Sequence, residues 1–300
     1  MRPYTGFATM PHMVDGPFTD VRGVFFDLDG TLKLSTPTGV DTLLALMADY
    51  GIPIDHVAKR AGHRFSHEYW ADRERVENDM DRLGPDAFWA NYIRAQMIAM
   101  SVLPSGQEPD NRVVQEINRR FATEFNPQSH IAPGTVELLS LLRQHDLILG
   151  LVSNRPLPLT DPAQRLGIHE YFHFTLAAGE IGSWKPDAGI FLRAVEIAGL
   201  SEPAEAIYIG DNYYADALGA FRAGLKAVLI DPLRAFPEAE AVAFVIDELA
   251  DLIPYLQTPV DLVENAEATA PASEFLSHSN AAGSQSEKSS PGNDDHQITE

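Results

Sequence analysis

Three hundred residues with 45% hydrophobic content make one large domain or two ordinary ones, with enough apolar side chains for a substantial core. A formal charge of -21 without a basic run makes nucleic-acid backbones and anionic membrane surfaces poor partners, so an anionic ligand needs a local cation. The absence of cysteine excludes disulfides and thiolate metal sites, no stretch reaches the roughly 18 apolar residues of a membrane span, and MRPYTGFATMPHMVDGPF lacks the apolar centre of a secretory signal, which leaves the cytoplasm as the default compartment.

Residues 1–20 hold prolines and glycines and no periodic pattern, and read as an irregular leader that packs little. The run VRGVFFDLDGTLKL, Val21 to Leu34, starts short, β-branched and aromatic and then meets Gly30, which predicts a buried strand opening into a loop. Asp27 and Asp29 then stand at the carboxyl end of that strand, the edge where ligands bind in open α/β sheets. Two acids held there repel one another unless a cation lies between them, although Asp-x-Asp-Gly taken alone is equally an ordinary turn.

Residues 36–128 read as helix after helix, with VDTLLALMADYG, HRFSHEYWADRERVEN, PDAFWANYIRAQMIAM and RVVQEINRRFATEF and no strand between them. From Ala132 strands alternate with helices: TVELLSLLRQHD, then strand LILGLVS, a helix around Ala163 to Leu166, strand YFHFTLAA, helix AGIFLRAVEIAGL, strand AIYIGD, helix YADALGAFRAG and strand KAVLID. Such alternation means a parallel sheet with helices on both faces. The expected fold is therefore α/β, with a core built from residues 21–35 and 129–257 and an all-helical cap inserted over 36–128, beside the Asp27 loop, where it can act as a lid. From Thr258 to residue 300 the chain turns to Ser, Ala, Asn and acids, which predicts a disordered acidic tail.

Further strand ends carry polar groups. LILGLVSN ends on Ser153 and Asn154, a hydroxyl and an amide able to bind an anion where helix amides begin, or simply to form a turn and cap. AIYIGDNYYAD ends on Asp211, with Asp216 five residues on; together with Asp27 these are hard oxygen ligands suited to Mg²⁺. Asp216 reads equally well as a helix-initial acid. SWKPDAGIF places Lys185 just before a helix, with Pro186 near its first turn, and a lone lysine there is more often a surface residue. In the cap, His63 and His67 have metal-ligand spacing but no third ligand in evidence for zinc. Tyr69, Trp70, Phe88, Trp89 and Tyr92 read as cap core and cap-to-core packing.

The order hhhhDxDGT, hhhSN, KP, hhhhGDxxxxD, each element at a strand end, closely resembles the haloacid dehalogenase-like superfamily over residues 22 to about 247, including a helical cap like that of its phosphatases. The resemblance implies a Rossmann-like core, Mg²⁺, and hydrolysis of a small phosphomonoester through an aspartyl intermediate. By that likeness Asp27 is nucleophile and metal ligand, and Asp29 is the general acid and base whose carbonyl also meets the metal. Asp211 is a further ligand, with Asp216 in or beside the metal group. Thr31, Ser153 and Asn154 hold phosphoryl oxygens, and Lys185 steadies the nucleophile. A phosphomutase and a 2-haloacid dehalogenase are neighbouring readings, and a catalytically silent binding protein is the reading from another class. Relatives often carry an aspartate where this chain has Leu34, which weakens assignment to a subgroup. Arg155 is placed to touch substrate, with a solvated loop arginine the more ordinary reading; His56, Arg60, Arg64 and His67 are placed to read a leaving group from the cap, with a solvent-facing helix the more ordinary one.

Overall fold

The apolar run ahead of Asp27 forms β1 (Gly23–Phe26), and all four of its residues are buried. The computed structural model of the chain describes residues 16–103 and 107–256. The other strands are β2 (Lys33–Thr36), β3 (Gln128–Ile131), β4 (Ile148–Ser153), β5 (Phe174–Ala177), β6 (Ala206–Gly210), β7 (Lys226–Ile230) and β8 (Phe244–Ile246). Six of them make one parallel sheet in the order β5-β4-β1-β6-β7-β8. In register, Phe26 lies between Leu151 of β4 and Ile209 of β6, so the residues following these three strands emerge side by side.

Successive strand residues point to opposite faces, and the sequence fills both. Val24, Phe26, Leu149, Leu151, Ile207 and Ile209 pack on one side with Leu138, Leu139 and Leu142 of α5 (Thr135–Gln144). Phe25, Val152, Tyr208 and Leu229 pack on the other with Ile190, Phe191 and Ala194 of a helix at Ala188–Ile197. Between them in sequence lie α6 (Thr160–Arg165) and α7 (Ala178–Ile181), so the helix at Ala188–Ile197 is α8; a π-helical turn at Tyr213–Ala217 leads into α9 (Leu218–Arg222).

Four helices join β2 to β3: α1 (Gly39–Asp49), α2 (His56–Ala71), α3 (Arg73–Ala99) and α4 (Asn111–Glu124). Their shared core includes Leu43, Met47, Phe65, Tyr69, Phe88, Tyr92, Ile93 and Ile117. The single helix expected over HRFSHEYWADRERVEN is broken: Asp72 leaves the helical region (φ -94, ψ 81) and its carboxylate accepts the Arg75 N–H, capping a second helix. α3 itself bends at Gly84 (φ 70), just before Pro85. Tyr69, Phe88 and Tyr92 are buried as expected, whereas Trp70 and Trp89 keep 41% and 39% of their surface exposed.

Three strands were not anticipated. β8 is a three-residue edge, and β2 and β3 form a separate antiparallel ribbon, Lys33 opposite Ile131 through Thr36 opposite Gln128. The end of the leader also departs from expectation. Gly16 and Pro17 are buried, Phe18 packs against the first core cluster, and Lys226 Nζ donates to the Thr19 carbonyl. The acidic tail expected from Thr258 lies outside the described residues. Among those residues no helix is long and apolar enough to cross a membrane.

Candidate active site

β1 ends where its backbone is still tied to the sheet, the Asp27 N–H donating to the Ile209 carbonyl at 2.9 Å, so the Asp27 carboxylate is carried on a rigid edge. Asp211 follows β6, and Asp216 lies one turn further on within the π-helical segment. Carboxylate oxygens of Asp27, Asp211 and Asp216 all lie within 4.8 Å of one another. Asp27 and Asp216 are nearly closed to water, at 5% and 1% exposure.

One cation answers this charge from within the fold. Lys185 Nζ, 3% exposed, donates to Asp27 Oδ1 at 2.7 Å, to Asp216 Oδ1 at 2.6 Å and to the Tyr208 hydroxyl at 2.9 Å. The Tyr208 O–H donates in turn to the Val152 carbonyl at 2.7 Å, leaving the hydroxyl oxygen to accept from Lys185, so all three of Lys185's donors are aimed. Tyr208 escaped the sequence reading because it sits in a strand as an ordinary aromatic; its only signal is a polar tip inside a buried run. Burial pushes the Asp27 carboxyl up to about 6, with Lys185 opposing the rise and Asp216 adding to it. Burial also raises Asp211, helped by Asp216 and Asp27 and opposed by Lys185. Burial alone would lower Lys185, but Asp216 and Asp27 raise it well above its ordinary value.

The surrounding backbone leaves no slack. Gly30 has φ +89, and a Cβ there would fall 2.4 Å from Asp211 Oδ2; a Cβ on Gly210 would fall 2.3 Å from Asp216 Oδ2. Thr31 donates to Asp211 Oδ1 at 3.2 Å, and the Asn212 N–H donates to Asp216 Oδ2 at 2.9 Å. With all three carboxyls ionised against one ammonium the cluster carries two negative charges on hard oxygens, which fits a divalent cation in both charge and donor type, and the raised Asp27 and Asp211 carboxyls reflect the repulsion such a cation would relieve.

The other expected residues divide. Ser153 is buried at the end of β4, the strand beside β1. The Asn154 side chain is turned to Lys185, Nδ2 donating to the Lys185 carbonyl at 2.8 Å and Oδ1 accepting the Lys185 N–H at 2.7 Å. It therefore fixes the backbone that carries the buried lysine. Asp29 is not one of the three clustered carboxylates; it meets Arg155 through both oxygens, Nε to Oδ2 at 2.6 Å and Nη2 to Oδ1 at 2.7 Å, with Lys33 Nζ at 2.9 Å from Oδ1. Burial would raise the Asp29 carboxyl, but the hydrogen bonds and charges of Arg155 and Lys33 prevail and hold it below the usual carboxylate range. No local pattern announces this pair, whose members are 126 residues apart. On the cap, Arg64 donates to the Ala235 carbonyl and to both oxygens of Glu238, and His67 stacks on Phe236 with centroids 5.3 Å apart. The zinc spacing of His63 and His67 acquires no third ligand among the described residues.

Known proteins resemble the chain over most of its length. Phosphoglycolate phosphatase 1 of Pseudomonas aeruginosa is 24% identical over 257 residues, 84% of this chain and 85% of its own. Phosphoglycolate phosphatase of Escherichia coli is 28% identical over 260 residues, 81% of this chain and 95% of its own. Among solved structures, a phosphatase of Thermococcus onnurineus overlays with a TM-score of 0.45 at 21% identity, covering 79% of this chain and 98% of its own. The family model of haloacid dehalogenase-like hydrolases matches residues 21–224. That match begins just ahead of β1, takes in the cap and every carboxylate of the triad, and ends just past α9; with well over half of its length so matched, the chain belongs to the haloacid dehalogenase-like hydrolases.

Proposed function

We propose that the protein hydrolyses a phosphomonoester in the cytoplasm, with Mg²⁺ held by Asp27, Asp211, Asp216 and the Asp29 carbonyl, and with a phosphoryl group passing through Asp27. The observation that carries this reading is the buried Asp27 carboxylate at the end of β1, held by Lys185 inside a three-carboxylate cluster. A carboxylate approaching a phosphate dianion meets repulsion, and a bound divalent cation supplies the charge that offsets it. Lys185 holds Asp27 Oδ1 and thereby fixes which way its other oxygen faces. Attack by Asp27 splits one difficult displacement into two easier ones. Ser153 and the backbone N–H after it would hold phosphoryl oxygens, and Thr31, whose hydroxyl donates to Asp211 Oδ1, would join them by turning its proton from Asp211 to the phosphoryl group. Gly30 lets the chain approach them without a side chain in the way.

Arg155 and Lys33 keep Asp29 ionised, the form that accepts a proton from water in the second step. For its earlier task Asp29 first takes up a proton from bulk water as Arg155 turns to the substrate's negative oxygens, and then gives that proton to the leaving alkoxide; the proton it accepts from water in the second step restores the acid. The carboxylates beyond Asp27 favour this reading over 2-haloacid dehalogenation, which needs the aspartate nucleophile but neither the metal ligands nor the acid two positions on. The relatives named phosphoglycolate phosphatase support the same reaction class.

The test is turnover of an aryl phosphate by wild type and Asp27→Asn, with Mg²⁺ or with EDTA, and intact-protein mass after brief exposure. Wild type with Mg²⁺ should turn over and gain one phosphoryl mass transiently, and Asp27→Asn should do neither. Undiminished turnover after exhaustive metal removal, or by the variant, rejects the mechanism.

A further inference from the structure

Beside Asp29, Gly30, Thr31 and Asp211 opens a cavity of about 1000 Å³, walled by both the cap and the core. That is the upper end of the roughly 300 to 1000 Å³ that suits drug-sized ligands, while a two-carbon acid fills only a few water volumes of about 30 Å³ each. Its cap wall carries a run of neighbouring aromatic rings, most of them tilted against one another. Trp70 and Trp89 have centroids 5.8 Å apart, Trp89 and Phe121 6.3 Å, and Phe121 and Phe125 4.7 Å. Both tryptophans line the cavity while keeping about two-fifths of their surface exposed, at 41% and 39%, so the fold leaves flat apolar area uncovered here.

Charge in the same cavity points the same way. Its two lysines are taken, Lys33 by Asp29 and Lys59 by Asp41, each at 2.9 Å. Further carboxylates line it, among them Asp231, which accepts the Ala235 and Phe236 N–H groups, and Asp247, paired with Arg234. A carboxylate or second phosphate on the leaving group would therefore give up its water and meet acids, with no unpaired lysine or arginine lining the cavity among the described residues. What the wall does offer is uncharged. His63 Nε2 and His67 Nδ1 are shut off from water with no hydrogen-bond partner among the described residues, and both residues line the cavity. Burial lowers both imidazoles, so each presents a single neutral donor or acceptor.

Resting on the phosphatase reading, we infer that the substrate's leaving group is a neutral aromatic alcohol of about two fused rings, stacked on Trp70 and Trp89, rather than a short anionic one such as glycolate. Flat rings match the wall, and absence of charge matches the paired lysines.

Three primary alkyl phosphates make the test, because their leaving alkoxides need protonation alike: naphthylethyl phosphate, ethyl phosphate and phosphoglycolate. With Mg²⁺, kcat/KM for naphthylethyl phosphate should exceed that for each of the others at least tenfold, mostly through KM. Trp89→Ala should cut that preference about tenfold, and Trp89→Phe should restore most of it, a rescue that general loosening of the cap would not give. Phosphoglycolate turned over as well as naphthylethyl phosphate overturns the inference and leaves the phosphatase reading intact. Binding is read separately by calorimetry with the non-hydrolysable naphthylethylphosphonate against ethylphosphonate. A Kd at least tenfold tighter for the former is expected, and equal affinities overturn the inference whatever the kinetics show. Tight, ring-dependent binding without hydrolysis of any ester supports the cavity assignment and rejects only the phosphatase reading.

Discussion

Lys185 is charged in a place where only Asp27, Asp216 and Tyr208 meet its ammonium, so its removal strands two buried carboxylates. Breaking one partner out of a buried pair costs about 3 to 5 kcal/mol. Lys185→Met should lose stability on that scale in urea denaturation, with part of it returned by millimolar Mg²⁺, since a cation can then offset the exposed repulsion. Gly30 is constrained differently: its positive φ, +89, and the 2.4 Å that would separate a Cβ from Asp211 Oδ2 leave no room for alanine. Gly30→Ala should cost about 1 to 3 kcal/mol and lose nearly all turnover, because the clash falls on a carboxylate of the cluster. A variant with wild-type turnover would show that Asp211 can move without consequence. At this scale the sequence showed which residue types gather, since each closes a buried strand or precedes a helix. It did not show Asn154 turning to the Lys185 backbone or Arg155 seizing Asp29, because those choices depend on side-chain reach across the fold.

Helix α2 meets the core through Arg64 and His67, and this contact carries a pH dependence. Burial lowers the His67 imidazole to about 4 from an ordinary 6.5. Between those values the unfolded chain takes up a proton that the folded chain refuses, so stability falls as pH drops from 6.5 toward 4 and levels below it, by at most about 3 kcal/mol. Thermal midpoints of wild type should fall more steeply across that window than those of His67→Gln; parallel curves would show that the histidine accepts its proton in place. Among elements, the largely buried strands β1, β4, β6 and β7 were legible because continuous apolar runs have few other uses. β8 was not, being three residues long, and β2 and β3 were not, because KLST and QSHI mix polar residues without alternation. The break between α2 and α3 hid for another reason. EYWADRERVEN keeps a helical period throughout, and only the Asp72 side chain, by capping Arg75, turns the chain.

The whole molecule is strongly acidic, with a formal charge of -21, and its carboxylate triad adds to that field at one edge of the sheet. A cation bound only by the folded chain stabilises it by mass action, about 2.7 kcal/mol at a concentration one hundred times Kd. Wild type should therefore gain several degrees of thermal midpoint in Mg²⁺ and return to its starting value with EDTA. Asp211→Asn should shrink that gain; an equal gain in the variant would place the cation elsewhere on the acidic surface. Residues 258–300 enter only through their composition, rich in Ser, Ala, Asn and acids. A chain ending at residue 257 should keep both midpoint and turnover, and a midpoint several degrees lower would show that the segment docks.

Thr36 and Gln128 face each other across the β2–β3 ribbon, about 5 Å apart as antiparallel neighbours are. Everything between them leaves and rejoins the sheet through that single doorway, so the four helices form a cassette whose two ends already meet. A short hairpin turn grafted from Thr36 to Gln128 would close the chain without disturbing one strand of the parallel sheet, and a different helical module could be spliced in at the same joint. The sheet edge that carries the carboxylate triad and the helical cassette beside it can thus be exchanged independently, by recombination in the laboratory as by insertion in a genome.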